Sequence, residues 1–488
     1  MSNDSVDSVL AARGIGFLVG RTLTLQLLTV GVTIALVRIL SPADYGLFAV
    51  AAAAQAVAQA ASDMGLTAAL IRQSHEPTAG QQFAVRGLLL TLGSAFSALS
   101  LTIAFLLLPA FGIQSEVAKV ISAAMPAVPL YALRAVPMVL LERHLRFGRV
   151  AAVETAEVLS FNAFALLAAL GGLGAYSLAG ALPAAALAGT LTVHRLQSSQ
   201  WGFSLDLGEV RAMVNFGLKF SLYRILGLSR ELGFITLVTA IGGVSLSGFY
   251  TMSVRLFSFP VALASAVQRV SFPALSRAPD ERPRRAARAA VLAAIVGALP
   301  LALVAGSSQA LVSSLLGDRW LPCVDIVLIA SAGMLLNASV SSAMTGLAFA
   351  EGRPGTPIVS VLASALAIGV ATVVVVGPLA SAGVGIAMLA SSLVAAAVLA
   401  AGSNRIVRRA LGPVGLHLGI AAIAAAIGYL LPVGDDLIAL VAKLATTAGM
   451  WLVLEVLLAR SELLEAVRLA RAVLAPGNRS EEKEAQVR

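Results

Sequence analysis

Ten ionisable side chains interrupt otherwise apolar stretches of this sequence: Arg21, Asp63, Arg134, Lys219, Arg224, Arg230, Glu231, Arg255, Asp325 and Glu455. A charge near the centre of a bilayer costs at least about 2.5–3.5 kcal/mol, so such groups are expected to face protein or a wet cavity. Lys219 and Arg230 are eleven residues apart and return to nearly one helical face, while Arg224 and Glu231, seven apart, share another. Arg255 lies roughly 13 Å below the outer start of its helix at ~1.5 Å per residue, and Arg224 near the middle of its own. Both are too deep for easy snorkelling, whereas Arg21 is near enough to its helix end to snorkel. Arg21 also heads a neutral stripe of Thr22, Gln26, Thr29 and Thr33. The excess of cations points to an anionic ligand, and guanidinium forks suit phosphate. The expected binding set is Arg21, Gln26, Thr29, Arg134, Lys219, Arg224, Arg230 and Arg255. Asp63, Glu231 and Asp325 are the candidate carboxylates for coupling to a proton or Na⁺ gradient. Purely structural roles compete: an acid such as Glu231 could simply fix Arg134 or Arg230, and Asp63 could be a local cap or hinge near Gly65.

The elements carrying these residues must be membrane helices. Of 488 residues, 58% are hydrophobic and only 12% charged, against roughly 25% charged in soluble domains. Apolar runs such as 87–111, 158–193, 286–316 and 357–401 exceed the ~18 residues needed to cross a bilayer. One cysteine, Cys323, excludes an intrachain disulfide, and the four scattered histidines suggest no metal site. The net charge of +9 would suggest nucleic acid in a soluble protein, but here most basic residues fall in short loops, so no nucleic-acid partner is expected. Residues 1–12 are polar and the first apolar stretch is long enough to span, so no cleavable signal peptide is expected.

About fourteen helices are expected, at roughly 14–39, 45–70, 84–110, 117–141, 150–172, 174–195, 211–242, 246–274, 285–310, 322–350, 355–378, 381–402, 413–432 and 437–459. Turn chemistry marks breaks at Ser41-Pro42-Ala43-Asp44, Gly171-Gly172, Gly242-Gly243, Gly317-Asp318 and Gly352-Arg353-Pro354-Gly355. With a cytoplasmic N-terminus, the inside loops receive most arginines (Arg72, Arg86, Arg143, Arg146, Arg149, Arg195, Arg211 and the run from Arg277 to Arg288). The positive-inside rule thus places both termini in the cytoplasm. Residues 461–474 read as an amphipathic helix on the inner leaflet. The plan of 14–70 recurs at 215–275: Arg21 and Arg224 are 203 residues apart, Gly46 and Gly248 are 202 apart. Such parallel repeats imply two lobes around a cavity. The expected organisation is a cytoplasmic segment 1–13, an N-lobe 14–200, a C-lobe 211–402, two further helices in 413–459 and a cytoplasmic tail 460–488.

Val37-Arg38-Ile39-Leu40-Ser41-Pro42-Ala43-Asp44-Tyr45-Gly46-Leu47-Phe48, followed by Asp63-Met64-Gly65-Leu66 and Ala69-Leu70-Ile71-Arg72, resembles the opening of bacterial polysaccharide flippases. So do Arg255-Leu256, Phe272-Pro273-Ala274-Leu275-Ser276-Arg277, Gly317-Asp318-Arg319-Trp320-Leu321-Pro322 and Gly352-Arg353-Pro354-Gly355. The resemblance is to the polysaccharide-exporter, Wzx-type branch of the multidrug/oligosaccharidyl-lipid/polysaccharide superfamily, and it fades after about residue 410. It implies an all-α polytopic membrane protein with two six-helix lobes around a cationic central cavity and two C-terminal helices. It further implies export of an undecaprenyl-pyrophosphate-linked oligosaccharide across the bacterial inner membrane, for O-antigen, capsule or exopolysaccharide assembly, with a polysaccharide polymerase complex as a candidate partner. Threonine and glutamine would then meet sugar hydroxyls. No enzyme activity and no cofactor is expected, because flipping breaks no bond. The rival readings are a MATE-like multidrug exporter, which would line its cavity with acids, and a membrane glycosyltransferase or polymerase, which would need large loops that this sequence lacks.

Overall fold

The computed structural model describes residues 21, 24–73, 75–107, 109, 115–197, 199, 201–277, 281–403 and 408–464, without the side chains of 72, 207, 209, 212, 214–220, 266 and 268–277. The expected segment 1–13, Thr22, the Lys219 side chain and most of the amphipathic helix at 461–474 lie outside the described residues.

All regular structure among the described residues is helical. The first helix, α1 (Thr24–Ile39), is followed by α2 (Pro42–Asp63), α3 (Leu66–Arg72), α4 (Ala79–Leu106), α5 (Ser115–Ala124) and α6 (Ala127–Arg143). Then come α7 (Phe147–Leu170), α8 (Ala175–Leu196), α9 (Leu207–Arg277), α10 (Arg282–Gly306) and the short α11 (Ser308–Leu311). The chain ends in α12 (Cys323–Leu336), α13 (Ser342–Ala350), α14 (Gly355–Ala371), α15 (Gly377–Ala401), α16 (Leu411–Leu430) and α17 (Leu437–Leu458).

Among the described residues, eleven helices are long and apolar enough to span a membrane, and α1 is a shorter apolar helix. Two of the eleven contain a break: Ser221–Ser265 at Gly243, where φ is +80°, and Gly355–Ala401 at Ala380, where φ is +45°. The arms on either side of Gly243 within that span, 221–242 and 244–265, each run about 33 Å at ~1.5 Å per residue, enough for a hydrocarbon core of ~30 Å. The chain is therefore an all-α, multi-pass membrane protein.

Packing divides the chain into two units, Met1–Met252 with Thr372–Ala380, and Ser253–Ala371 with Ser381–Arg488. The division falls within α9, so the connection between residues 200 and 211 belongs to the first unit. In that unit α8 packs against α2, α5, α6 and α7, and α4 lies on α2 and α6. In the second unit α10 packs against α12, α13, α16 and α17. There Gly306 comes within van der Waals reach of the Ala425 backbone, and Gly428 of Thr447, the close approach that small residues permit between membrane helices.

The repeat has a physical counterpart in the first unit. Gly46, four residues after Pro42, sits so close to Val244 that a Cβ would stand 1.7 Å from the Val244 carbonyl oxygen. Gly248, four residues after Val244, meets Pro42 reciprocally, at 1.8 Å from its carbonyl oxygen. The two helix starts thus interlock through glycines at equivalent spacings.

Local chemistry fixes the helix ends. Ser41 caps α2: its hydroxyl accepts the Asp44 N–H (3.2 Å), while the Asp44 carboxylate accepts the Ser41 N–H (2.8 Å). The chain turns at Met64 and Gly65, both left-handed, and Asp63 accepts the Thr67 hydroxyl at 2.8 Å across this hinge. At the end of α3, Arg143 donates to the carbonyls of Leu70, Ile71, Gln73 and His75 at 2.6–3.0 Å. Replacing Arg143 with alanine strips these carbonyls of a charged donor. A loss of about 2 kcal/mol is expected, read as a lower melting temperature in detergent.

Arg86 differs from its expected place in an inside loop. α4 begins five residues earlier than the expected helix at 84, because Thr78 and Gln81 form a capping box, and Arg86 is buried inside it.

Candidate functional site

A cavity of about 220 Å³ lies in the first unit, between polar faces of α2, α3 and α6, with Arg224 of α9. On α6, Tyr131, Arg134, Met138 and Glu142 follow one another at spacings of three to four residues and form one face. On α2, Ser62 and Asp63 lie three and four residues after Gln59, and the Gln55 amide donates to the Gln59 side-chain oxygen at 2.9 Å. Arg134 lies 4.9 Å from the centre of the Tyr131 ring, a cation–π contact.

Carboxylates from α7 reach these cations. Arg134 is in direct ion-pair contact with Glu157, the two side chains 20% and 17% exposed. Gly189 of α8 leaves the space that Glu157 occupies. Arg21 binds the next turn of α7: its Nε donates to the Thr155 hydroxyl at 2.7 Å and its Nη2 lies 3.5 Å from Glu154. Glu154 and Glu142 also lie within electrostatic reach of Arg134. Farther along, the Asn162 amide donates to the Thr29 hydroxyl at 3.3 Å.

The site therefore differs from a simple cationic surface. Asp63 and Glu142 balance Arg134 and Arg224 around the cavity, and Glu154 and Glu157 stand behind. The positive excess expected from the sequence is absent from this cavity, because acids of α2, α6 and α7 offset it. The signal that could have found two of them is a pair of carboxylates, Glu154 and Glu157, one turn apart in a mostly apolar 24-residue helix.

Of the expected binding residues, the cavity gathers Arg134 and Arg224, together with the candidate coupling acid Asp63. Arg224 is exposed and has no ion pair among the described residues. Arg21 and Thr29 belong to the adjoining α1–α7 contact, and Gln26 is exposed on α1. Lys219 and Arg230 lie on α9, where Arg230 is half-buried and engaged. Glu231 accepts a hydrogen bond from Tyr250 across the Gly243 break rather than pairing along its own helix face. Arg255 and Asp325 belong to the second unit; Asp325 accepts the Ser381 hydroxyl at 2.6 Å. Glu455, also in the second unit, is fully buried against His417, with Nδ1 3.0 Å from its carboxylate.

The Arg134–Glu157 pair gives a stability test. Glu157→Leu strips a largely buried guanidinium of its direct ion-pair partner, and a loss of about 3 kcal/mol is expected. The double replacement Arg134→Met with Glu157→Leu is expected to recover most of it, read by thermal denaturation of the purified protein. A double variant as unstable as the single one would remove the pairing as the cause.

Among solved structures, the chain is similar to the lipid II flippase MurJ in an inward closed conformation, at a TM-score of 0.75 and 12% identity, covering 92% of this chain and 99% of that one. It is also similar to an inward-facing multidrug resistance MATE family transporter of the MOP superfamily, at a TM-score of 0.57 and 14% identity, over 81% of this chain and 95% of that one. A third likeness is to the eukaryotic MATE transporter AtDTX14, at a TM-score of 0.50 and 16% identity, over 82% of this chain and 99% of that one. At these identities the likeness is one of fold. No curated protein sequence matches. The family profile described as polysaccharide biosynthesis protein matches residues 35–325, which is 291 of 488 residues and includes all of α2 to α11. The all-helical membrane fold, the shared architecture and this match over more than half the sequence place the chain in the polysaccharide biosynthesis protein family.

Proposed function

We propose that this protein flips an undecaprenyl-pyrophosphate-linked oligosaccharide from the cytoplasmic to the periplasmic leaflet of the bacterial inner membrane, for O-antigen, capsule or exopolysaccharide assembly. The observation that carries this reading is Arg224, a guanidinium that lines a polar cavity among membrane helices and has no ion pair among the described residues. Family membership and the fold favour lipid-linked cargo over a soluble solute.

The lipid tail stays in the bilayer throughout, and the costly part is moving phosphate and sugar through hydrocarbon. The cavity, about 220 Å³, is smaller than the ~300–1,000 Å³ of a drug-sized ligand site. It suits one phosphate or one sugar ring, so it serves as a subsite rather than a receptacle for the whole headgroup. Arg224 offsets phosphate charge, Gln59 and Tyr131 offer hydrogen bonds to hydroxyls, and alternating access carries the headgroup outward. Lys219, Arg230 and Arg255 remain further proposed phosphate ligands. Proton or Na⁺ coupling falls to Asp63, whose carboxylate lines the cavity, with Glu231 and Asp325 as further candidates. Both termini are placed in the cytoplasm in this reading, which the arginine-rich loops support. A polysaccharide polymerase complex is the proposed partner that takes the flipped product.

A second reading, export of organic cations, draws on Asp63 and Glu142 in the lining. One experiment separates the two. Deleting the gene and isolating lipid-linked intermediates is expected to show an undecaprenyl-pyrophosphate oligosaccharide accumulating on the cytoplasmic face, with unchanged sensitivity to cationic dyes. Dye hypersensitivity with normal surface polymer would replace the flippase reading with the exporter.

A further inference from the structure

Between α8 and α9, residues 201–206 form a non-helical strap bound to the first turns of α4. The Ser204 N–H donates to the Phe83 carbonyl at 3.2 Å, and the Gly202 Cα lies on the Phe83 ring. Gly87 lies so close beneath Ser204 that a Cβ would stand 2.0 Å from its carbonyl oxygen. Arg86, 2% exposed, reaches up from α4: it donates to the Gly202 carbonyl and to the Ser199 hydroxyl, each at 3.2 Å. Its guanidinium also lies 5.2 Å from the centre of the Trp201 ring, and Trp201 stacks on His194.

The strap alternates. Gly202 and Ser204 face the helices, whereas Trp201, Phe203 and Leu205 are 68%, 59% and 53% exposed. The α6–α7 turn adds Leu145 and Phe147, 70% and 54% exposed. The turn is tied to the end of α8, just ahead of the strap: Arg146 donates to the Gln197 side chain at 3.0 Å, and Arg149 to the Leu196 carbonyl at 2.7 Å. Arg146, Arg149 and Arg195 are exposed around this patch. A guanidinium has five N–H donors, so Arg146 and Arg149 keep most of theirs for another ligand. The neighbouring acid, Asp206, turns back to accept the Gly208 N–H at 2.8 Å.

We propose that the strap and the α6–α7 turn form a docking platform for anionic phospholipid. Trp201, Phe203 and Leu205 enter the boundary between headgroups and acyl chains, and Arg146, Arg149 and Arg195 take up lipid phosphate. The patch stands where α6 and α8 end and α4 and α7 begin, the depth at which amphipathic aromatic rings favour a membrane interface. Three exposed arginines give it the charge that an anionic leaflet attracts. Rigid fixation by Arg86 presents the apolar side chains before any lipid arrives, which lowers the ordering cost of insertion.

Trp201 is its own reporter. The other two tryptophans, Trp320 and Trp451, are 0% and 7% exposed. The full-length protein in nanodiscs, compared with Trp201→Phe, isolates the Trp201 fluorescence. Brominated phosphatidylglycerol is expected to quench that signal far more than brominated phosphatidylcholine, and aqueous iodide to quench it little. Replacing Arg146, Arg149 and Arg195 with glutamine, one at a time, is expected to weaken the preference for the anionic lipid by up to about fivefold each. Equal quenching by the two brominated lipids, or strong iodide quenching of the Trp201 signal in phosphatidylglycerol nanodiscs, would overturn the proposal.

Discussion

Arg224→Gln is expected to cut translocation of the lipid-linked oligosaccharide by roughly 10- to 100-fold while leaving protein abundance unchanged. The magnitude follows from losing one charged hydrogen-bonding contact to phosphate, about 1.5–3 kcal/mol. Abundance should hold because Arg224 is exposed and makes no ion pair among the described residues. Arg224→Lys keeps the charge but loses the fork, so an intermediate rate is expected. The contrast is Arg134→Gln. Arg134 is held by Glu157 and stacked on Tyr131, so its loss is expected to lower both transport and stability. The measurement is the rate at which newly made oligosaccharide becomes accessible outside, normalised to protein in the membrane. A wild-type rate in Arg224→Gln would take this residue out of the transport path.

The second large effect concerns the interlocked glycines. Gly46→Ala or Gly248→Ala sets a methyl within 1.8 Å of a backbone carbonyl oxygen, at Val244 or Pro42 respectively. No flexible side-chain end can yield there, so a helix start must shift, and overpacking of this kind costs about 1–3 kcal/mol or more. Each variant is expected to melt well below the wild type and to accumulate poorly in the membrane. The double variant should be less than additive, because the first methyl already opens the contact that the second would strain. Gly233→Ala is the control: nothing lies within 4 Å of its Cβ position, so a neutral or slightly stabilising change is expected. Wild-type melting of both Gly46→Ala and Gly248→Ala would mean that the two helix starts do not meet in the native protein.

The same contact explains why the first packing unit extends to Met252. The repeat makes a natural border between residues 200 and 211 in a linear reading of the chain. In three dimensions the strap binds α4 and the start of the second arm of α9 locks onto the start of α2, so these residues pack with the preceding helices.

Local rules in the sequence determined a good deal. Apolar runs longer than a bilayer core require helices, since no other continuous segment satisfies its own backbone there. The turns at Gly172, Gly243, Gly317 and Gly352, each with positive φ, were legible because few other residues adopt that conformation easily. The Ser41–Asp44 cap was equally plain from four consecutive residues. Tertiary structure alone decided which charges meet. Arg21 and Glu154 are 133 residues apart in the sequence and Arg134 and Glu157 are 23 apart, yet both pairs close onto α7. A cation's depth can be counted along one helix, but its neutralising partner comes from another helix whose rotation depends on packing. The sign of the cavity therefore could not be read from α1 and α9 by themselves. It emerged only when α6 and α7 brought their carboxylates to these cations, and that placement involves contacts such as Gly189 against Glu157, which no linear spacing encodes.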